Sequence, residues 1–359
     1  MARRQTQQRL FRELMAKYGL EVAQAFMAAI NDLRSNVELQ KVIAALERGD
    51  FQGAMDALHL SRAAFAGLEA KITEAFIAGG QGAVASMPAA VSIGFRFDPG
   101  NQRAASWIRQ FSGNLITGLV DGERQQARDF LADGMARGAH PRSVGLDLVG
   151  RISRATGQRT GGLIGLSGPQ RKLVSSMQAA LTSPHGVGLV GFGEDGKPIR
   201  KFWIGRDGKL KSAFTRRDLR YDRTILKAIR EGKAIDRDTA SLMVTRYSAR
   251  LVQLRGEVIA RTEGLPAIRA AKHEAYQQLV DEGRIAEADI ERGWHTAGDR
   301  RVRDTHEGMS GQTVRGLSLP FQSPSGALLM FPGDTSLGAG TEEVVACRCD
   351  ESIAVRRAA

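Results

Sequence analysis

Apolar residues recur every three or four positions through the first quarter of the chain, which is the spacing of amphipathic helices. This pattern predicts four helices, over residues 6–33, 37–48, 51–58 and 61–77. Gly19 is expected to break the first helix, Asp50 to cap the third, and Gly79 and Gly80 to stop the fourth. Residues 1–90 are therefore predicted to form an N-terminal helical bundle.

The next stretch, residues 91–182, reads as a helical body preceded by one strand. Alternation of apolar with small or polar residues predicts the strand over residues 91–97. Helical spacing then predicts helices over residues 103–131, 141–156 and 168–181, with Ser167 or Gly168 leading into the last of them. The Gly-rich run before Ser167 lacks the Gly-Lys-Ser/Thr ending of a phosphate loop, so we interpret it as a connection.

The pattern changes character in residues 183–257. Two Asp-Gly turn signals, Asp195-Gly196 and Asp207-Gly208, lie between short apolar runs and predict a three-stranded β-meander. A basic helix over residues 218–231 and a long helix that starts near Asp236 follow the meander.

Residues 258–359 are predicted to form a compact α+β C-terminal domain. The long helix should end or kink at residues 258–263, and Pro266 is well placed to begin the next helix. A short helix over residues 285–291 then leads into a stretch dominated by loops, from Trp294 to Cys349. The predicted fold class is α+β and mainly helical.

The net charge of +12 is concentrated in part of the chain of 359 residues. Residues 197–255 contain 17 Lys/Arg and 6 Asp/Glu, whereas residues 256–349 contain 10 Lys/Arg and 14 Asp/Glu. Such a concentration is typical of a surface that faces a polyanion, although a solvated helix face has the same composition. The candidate DNA-binding residues are Arg200, Lys201, Arg206, Lys209, Lys211, Arg216 and Arg217.

The start of the chain and its two cysteines bear on the cellular compartment in which the protein folds. Met1-Ala-Arg-Arg is followed by polar residues, which predicts no signal peptide. The uncharged run over residues 75–95 is interrupted by Gly, Ser and Pro, so we expect no membrane span. Cys347 and Cys349 are too close in sequence for a relaxed disulfide, and nothing indicates an oxidising compartment.

The loop-rich C-terminal stretch carries the densest set of chemically active side chains. A structural polar cluster is predicted there, composed of Arg261, Glu263, Trp294, Asp299, Arg301, Arg303, His306 and Asp334. In the simplest version, Arg301 or Arg303 pairs with Asp299 or Glu263 and fixes the loops.

Two kinds of metal site compete with a purely structural cluster. His306, Cys347 and Cys349, with His295, could ligate a structural zinc ion, because alternate residues of a strand share one face. Otherwise the thiols are small buried residues. Asp299, His306 and Asp334 could instead form a hydrolytic metal site. No other cofactor is expected.

Several short motifs resemble the phage head-morphogenesis, or Mu F-like minor head protein, family of tailed phages. They are A-R-T-E at 260–263, W-x-T-x-x-D-x-R-V-R-x-x-H at 294–306, G-Q at 311–312, P-G-D at 332–334 and C-R-C at 347–349. The likeness extends over residues 95–349. Two positions depart from the pattern: Ser310 stands where Asp is common, and Ala346 where Asn usually precedes the first Cys.

The resemblance implies a minor structural head protein without catalytic activity. It implies the portal protein and double-stranded DNA as partners, with capsid or scaffold proteins as further candidates. The expected location is the virion, in the head interior or at the portal vertex, and the host cytoplasm during assembly. The alternative function is a metal-dependent nuclease or transferase centred on Asp299 and His306.

Overall fold

The structure, a computed structural model, describes residues 2–153 and 157–356. It is 59% helical with small antiparallel sheets, which confirms the mainly helical α+β fold class. Within the part of the chain that is described, no helix combines the length and apolarity that crossing a membrane requires.

Thirteen α-helices lie in the described residues. They are α1 (Ala2–Asn36), α2 (Leu39–Glu47), α3 (Phe51–Asp56), α4 (Ala66–Ser86), α5 (Ala89–Ser92), α6 (Gln102–Ala136), α7 (Pro141–Val149), α8 (Gly168–Thr182), α9 (Asp222–Glu231), α10 (Arg237–Ile259), α11 (Leu265–Asp281), α12 (Asp304–Gly308) and α13 (Thr341–Val344). Single 3-10 turns occupy Arg62–Phe65, Leu219–Tyr221 and Glu287–Asp289, and a π-helix occupies Ala260–Gly264.

The strands are short and pair antiparallel. They are β1 (Arg151–Ile152), β2 (Arg159–Thr160), β3 (Leu189–Phe192), β4 (Pro198–Arg200), β5 (Phe202–Ile204), β6 (Leu210–Ser212), β7 (Ile290–His295), β8 (Thr313–Arg315), β9 (Phe321–Gln322), β10 (Leu328–Leu329) and β11 (Asp350–Val355). The largest sheet has three strands in the order β11-β7-β8, and the others are two-stranded pairs: β1-β2, β3-β4, β5-β6 and β9-β10.

The chain divides into two compact units, each assembled from separated stretches. Unit 1 comprises Met1–Phe26, Phe65–Gly118 and Gly256–Ala359, and unit 2 comprises Met27–Ala64 and Leu119–Arg255. The sequence interpretation divided the chain into four consecutive ranges instead. Unit 1 contains the loop-rich C-terminal stretch, and unit 2 contains most of the basic region.

Helix α4 passes through Gly79 and Gly80, so the prediction that these glycines stop it is wrong. Both are buried, and each lies where a side chain would collide with a neighbour. A Cβ at Gly79 would meet the backbone of Ile268 in α11, and one at Gly80 would meet the ring of Phe97. These glycines therefore allow close packing between α4 and α11, which is a tertiary role that local propensity does not reveal.

Helix α1 also runs unbroken through Gly19, contrary to the prediction. A glycine inside a helix costs only about 1 kcal/mol relative to alanine, which the packing of an amphipathic helix readily outweighs. Phe11, Val22 and Phe26 are completely buried along α1. The helix penalty of glycine is therefore too small to produce the break that was predicted at Gly19.

Residues 91–97 do not form the predicted strand. Val91 and Ser92 belong to the one-turn helix α5, Ile93 and Gly94 form a turn, and residues 95–97 have no strand partner within the described residues. Phe95 and Phe97 are buried, and the Phe97 ring lies 5.9 Å from that of Phe76. The alternation thus reflects two buried aromatic side chains in a connecting segment. The segment forms no strand because no other strand in the described part of the chain lies beside it to pair with.

The predicted cap at Asp50 is confirmed, and the helix starts predicted near Asp236 and Ser167 are capped as well. The carboxylate of Asp50 accepts a hydrogen bond from Gly53 N at 2.8 Å, and Asp236 accepts one from Thr239 N at 2.8 Å. Ser167 forms a reciprocal capping box with Gln170 at the start of α8. Local hydrogen bonding decides these helix starts, so the sequence suffices to find them.

The predicted three-stranded meander is two hairpins. Both Asp-Gly turns form, with positive φ at Gly196 and Gly208. The extended segment 198–204 pairs with β3 through its first half and with β6 through its second half. The two outer strands therefore never flank the same residues, and each hairpin is a separate two-stranded sheet.

Two other predicted helices are shorter than expected. Helix α7 ends at Val149, before Gly150 with φ 85°, and β1 follows it; residues 154–156 of the predicted helix lie outside the described residues. Within 285–291 only the 3-10 turn Glu287–Asp289 is helical, and β7 begins at Ile290. The predicted irregularity at 258–263 is the π-helix that joins α10 to α11.

Candidate metal centre and basic surface

His306 and the two cysteines are brought together by two segments of unit 1. His306 lies on the short helix α12, while Cys347 and Cys349 lie in the extended segment between α13 and β11. The cysteines are therefore not in a strand, contrary to the expectation, although both sulfurs face the same imidazole. His306 Nδ1 lies 3.6 Å from Cys347 Sγ and 3.4 Å from Cys349 Sγ.

These three side chains form a group with the spacing of metal ligands. Their ligand atoms all lie within 4.8 Å of one another, and all three residues are buried. Among the described residues this is the sole group of three or more His, Cys, Asp or Glu side chains with such spacing. A nitrogen and two sulfurs are the donors that zinc prefers in structural sites.

The second ring nitrogen of His306 faces a carboxylate. His306 Nε2 lies 2.8 Å from Oε2 of Glu343, and both side chains are nearly inaccessible to solvent. The approach is close, but its angle is not that of a hydrogen bond, so the contact is electrostatic. An ionised carboxylate only accepts hydrogen bonds, so it favours the tautomer with the ring proton on Nε2, in which the Nδ1 lone pair is directed at the sulfurs. A carboxylate behind a histidine in this way is the usual support of a metal-ligating imidazole.

Three hydroxyl groups hold Glu343 in its ionised form. Ser325 Oγ and Ser323 Oγ donate to Oε1 at 2.7 and 3.1 Å, and Thr305 Oγ1 donates to Oε2 at 3.2 Å. Burial opposes ionisation, but these hydrogen bonds outweigh it and lower the pKa of Glu343. The buried carboxylate is thus available to orient His306.

The two thiols share their protons unequally. The hydrogen bond from Cys349 lowers the pKa of the Cys347 thiol well below its usual value, and the same bond, with burial, raises the pKa of Cys349. Both cysteines are free rather than joined in a disulfide. Of the two thiols, Cys347 is therefore the more acidic.

A completely buried arginine binds the backbone carbonyls of both cysteines. Arg269 of α11 donates to the carbonyl oxygens of Cys349 at 2.6 Å, Cys347 at 3.4 Å and Pro332 at 3.1 Å. One guanidinium thereby joins the C-R-C segment to the P-G-D loop. Sequence reasoning missed Arg269, although a charged residue within the apolar run of α11 is a signal that could have identified it.

An apolar cluster excludes water from the three ligands. Trp294 is completely buried, and its ring meets those of His306 and Phe321 edge-to-face at centroid distances of 5.3 Å. The cluster comprises Trp294, Met309, Phe321, Leu329, Val344, Cys347 and Cys349. Such a buried setting suits a structural site.

Asp299 does not pair as expected. Its carboxylate forms two hydrogen bonds of 2.5 Å with the guanidinium of Arg348, and this pairing lowers its pKa strongly. Arg301 contributes only its backbone N–H to Asp299, at 2.9 Å, and Arg303 donates to the carbonyl of Val345. The predicted pairing through the Arg301 or Arg303 side chain is therefore wrong, because Arg348, which lies between the two cysteines, supplies the cation.

The other residues of the predicted polar cluster serve separate loops. Asp334 accepts hydrogen bonds from Met330 N and from the backbone and hydroxyl of Ser336. Asp299 and Asp334 are not part of the ligand group around His306, so the predicted hydrolytic site does not assemble among the described residues. His295 also lies outside that group, and its Nε2 contacts Ser352 Oγ at 2.8 Å.

The A-R-T-E segment forms the π-helix and touches the cysteine segment. Thr262 Oγ1 accepts a hydrogen bond from Ala346 N at 3.1 Å. Arg261 and Glu263 occupy the same π-helix, and burial raises the pKa of Glu263 to about 7. Ala346 itself has φ 53°, a left-handed conformation that asparagine and glycine tolerate better than alanine.

The basic surface of unit 2 keeps several cations free. Arg200, Arg206 and Lys209 are exposed, Lys201 is half-buried, and none of these four contacts a carboxylate within the described residues. Lys211 pairs with Asp207 at 3.1 Å, and Arg217 forms two hydrogen bonds with Asp222. Arg216 is exposed and has φ 60°.

Glu343 is the clearest residue of the site that sequence reasoning missed. It is one of two adjacent glutamates at the start of α13, and its neighbour Glu342 is exposed. Nothing in the sequence distinguishes the two, because only the fold of the loop between α12 and α13 brings Glu343 behind His306.

Protein-family models, curated proteins and solved structures contain no match to this chain.

Proposed function

We propose that this protein is a minor structural component of the head of a tailed phage, associated with the portal vertex and contacting DNA. The observation that carries the proposal is the convergence of the separated motifs. Thr262 of A-R-T-E contacts Ala346, Trp294 packs on His306, and Arg269 joins Pro332 to Cys349. Motifs that resemble one family and pack into one unit support a shared domain rather than chance matches.

The Ala346 position adds independent support. The family pattern usually has Asn before the first Cys, and this is a position where the chain adopts a left-handed φ. Asn is among the few residues that tolerate this conformation at low cost. The backbone therefore retains the conformation that explains the usual residue, even though the side chain differs.

The role in the particle is tested on virions of the phage that encodes the chain. Mass spectrometry of purified particles should detect it at low copy number, and affinity-tagged portal protein should retain it after co-expression. A chain absent from purified particles and not retained by portal would contradict the proposal. Incubation with DNA and Mg²⁺ or Mn²⁺ should produce no cleavage, whereas cleavage would favour the nuclease alternative.

The DNA role rests on the cations of the two hairpins, of which Arg200, Lys201, Arg206 and Lys209 contact no carboxylate within the described residues. Contacts with phosphates weaken steeply with salt and are insensitive to base sequence. Fluorescence anisotropy with a labelled duplex at several salt concentrations should show both properties. Replacing Arg200, Lys201, Lys209 and Lys211 by Ala should weaken binding, and unchanged affinity would place the contact elsewhere in the protein.

We infer that His306, Cys347 and Cys349 hold a structural zinc ion. Tetrahedral zinc with a sulfur ligand at about 2.3 Å and a nitrogen ligand at about 2.05 Å separates the two ligand atoms by about 3.6 Å. The observed distances of 3.6 and 3.4 Å from Nδ1 to the two sulfurs fit that separation. The ion would link α12 to the segment before β11, which have little regular structure of their own.

Elemental analysis of the purified protein tests this inference. One zinc per chain is expected, and reconstitution with Co²⁺ should give the absorption bands of thiolate ligation. Protein that contains no metal and gives no thiolate-to-cobalt band would show that the group is a hydrogen-bonded thiol-imidazole cluster. Cys347→Ser and Cys349→Ser should each abolish the cobalt spectrum.

A further inference from the structure

Three arginines of unit 2 converge on one buried carboxylate. The Asp218 side chain is only 4% exposed, and it contacts Arg220, Arg246 and Arg250. Arg220 forms hydrogen bonds of 3.0 and 2.7 Å with the two oxygens, while Arg246 and Arg250 each approach one oxygen at 3.4 Å. We call this set the arginine hub.

The hub carries more positive charge than its carboxylate neutralises. Asp218 is the only carboxylate that contacts any of the three guanidiniums within the described part of the chain, which leaves a net charge of two positive. The nearby pair of Arg217 and Asp222 shows the contrast, since one cation there meets one anion. A buried carboxylate needs only one guanidinium, so the other two are not explained by its burial.

The guanidiniums are held in place but remain accessible. Their side chains are 70% exposed for Arg220 and 40% for both Arg246 and Arg250. Arg250 also donates to the carbonyl of Arg217 at 2.7 Å, and Arg246 lies over the ring of Tyr221 at 5.4 Å. Preorganised guanidiniums lose little side-chain entropy on binding, and their planar donors match phosphate oxygens.

The surroundings of the hub favour an extended polyanion over a single small anion. Helix α9 begins directly after the hub, and its Arg230 donates to the carbonyl of Gly208 in the turn of the β5-β6 hairpin. That turn also carries the exposed Arg206 and Lys209. The hub and the hairpin cations thus belong to one connected part of unit 2.

We propose that the arginine hub is the principal phosphate-binding site of this protein for the backbone of double-stranded DNA. Asp218 acts as the positioning residue, holding three guanidiniums close together so that they grip one phosphate or two adjacent ones. The hairpin cations then contact phosphates farther along the duplex. This inference rests on the proposed DNA contact and specifies its centre, which lies outside the residues predicted from the sequence.

The test compares two variants that lose the same charge. Arg246→Gln with Arg250→Gln removes two hub cations and leaves Asp218 paired with Arg220. Arg142→Gln with Lys172→Gln removes two exposed cations elsewhere in unit 2 and serves as the matched control. Circular dichroism and thermal unfolding should show that both variants are folded like the unsubstituted protein.

Anisotropy with a labelled duplex gives the affinity and its salt dependence. The hub variant should bind about tenfold or more weakly, and its slope of log K against log salt should become shallower by roughly one to two, because each phosphate contact contributes about 0.9 and the hub holds one phosphate or two. The control variant should keep the slope of the unsubstituted protein.

Each outcome separates the hub from the broader DNA role. A hub variant indistinguishable from the control overturns the hub while leaving DNA binding intact. An unsubstituted protein without salt-dependent binding overturns the DNA role itself. Polyglutamate that displaces the protein as well as unlabelled duplex does, at equal charge, overturns the phosphate assignment in favour of an acidic protein partner.

Discussion

His306 Nε2 lies 2.8 Å from the buried carboxylate of Glu343, while Nδ1 of the same ring faces the sulfurs of Cys347 and Cys349. An ionised carboxylate at this distance favours the tautomer with the ring proton on Nε2, in which Nδ1 can donate its lone pair. The chemistry of the cluster is therefore set by a residue that touches neither sulfur, and this relationship can be tested directly.

Glu343→Gln should weaken metal binding by roughly 10- to 100-fold, because the loss of a carboxylate behind a ligating histidine has that effect. Competition with a chromophoric chelator measures the affinity for Zn²⁺. The matched control is Glu342→Gln, which changes the exposed neighbour on the same helix. Equal affinities for the two variants would show that Glu343 does not support the metal.

Removal of the metal should destabilise unit 1. A ligand present at about 1,000 times its dissociation constant stabilises the folded state by about 4 kcal/mol, which corresponds to a lower thermal midpoint by about 10 °C in the apo protein. Differential scanning calorimetry with and without a chelator measures this shift. The Cys349→Ala variant should unfold at the same temperature in both conditions, and a chelator-induced shift in that variant would contradict the ligand assignment.

Stability should fall as the pH rises from about 4.5 to about 7 because of Glu263. Burial raises the pKa of this carboxyl from its usual 4.5 to about 7, so the folded protein retains a proton that the unfolded chain has lost. The unfolded state binds fewer protons in this window, and the stability therefore declines with pH and levels off above 7.

Glu263→Gln should remove this decline and stabilise the protein by roughly 3 kcal/mol at pH 8, as one pKa unit corresponds to about 1.4 kcal/mol. Thermal midpoints measured from pH 4 to 8 follow the effect. Glu47→Gln, at an exposed position, should leave the pH profile unchanged. A Glu263→Gln profile parallel to that of the unsubstituted protein would contradict the raised pKa.

Two glycine-to-alanine changes in unit 1 should have opposite signs. Gly19→Ala adds a methyl group into open space within α1 and should stabilise by about 0.5–1 kcal/mol. Gly79→Ala places the methyl group against the backbone of Ile268 and should destabilise by about 2 kcal/mol or more, because backbone atoms cannot move aside cheaply. Denaturant unfolding measures both, and equal effects would contradict the α4–α11 packing.

Ala346→Gly should stabilise the protein by about 1 kcal/mol, because alanine in the left-handed region costs about that amount. Ala346→Asn should give part of the same gain, since Asn tolerates this conformation. Chemical unfolding compares these variants with Ala346→Val, where a β-branched residue should destabilise. A gain for Val equal to that for Gly would exclude the left-handed conformation.

The sequence by itself determined the mainly helical fold class, the capping of α3, α8 and α10, and the two Asp-Gly turns. These features depend on hydrophobic spacing and on hydrogen bonds between neighbours in the chain, so the residues that decide them lie within a few positions of one another. The grouping of His306 with Cys347 and Cys349 was also predicted, because few other side chains offered the same donors.

Only the tertiary structure decided the roles of residues whose partners lie far away in sequence. Gly79 allows α4 to approach α11, Glu343 orients His306, and Asp218 gathers arginines from two elements. The pairing of Asp299 with Arg348 belongs to the same group. Long-range folding decides which oppositely charged or closely packed partner a residue meets. Local propensity and sequence spacing carry no information about that choice.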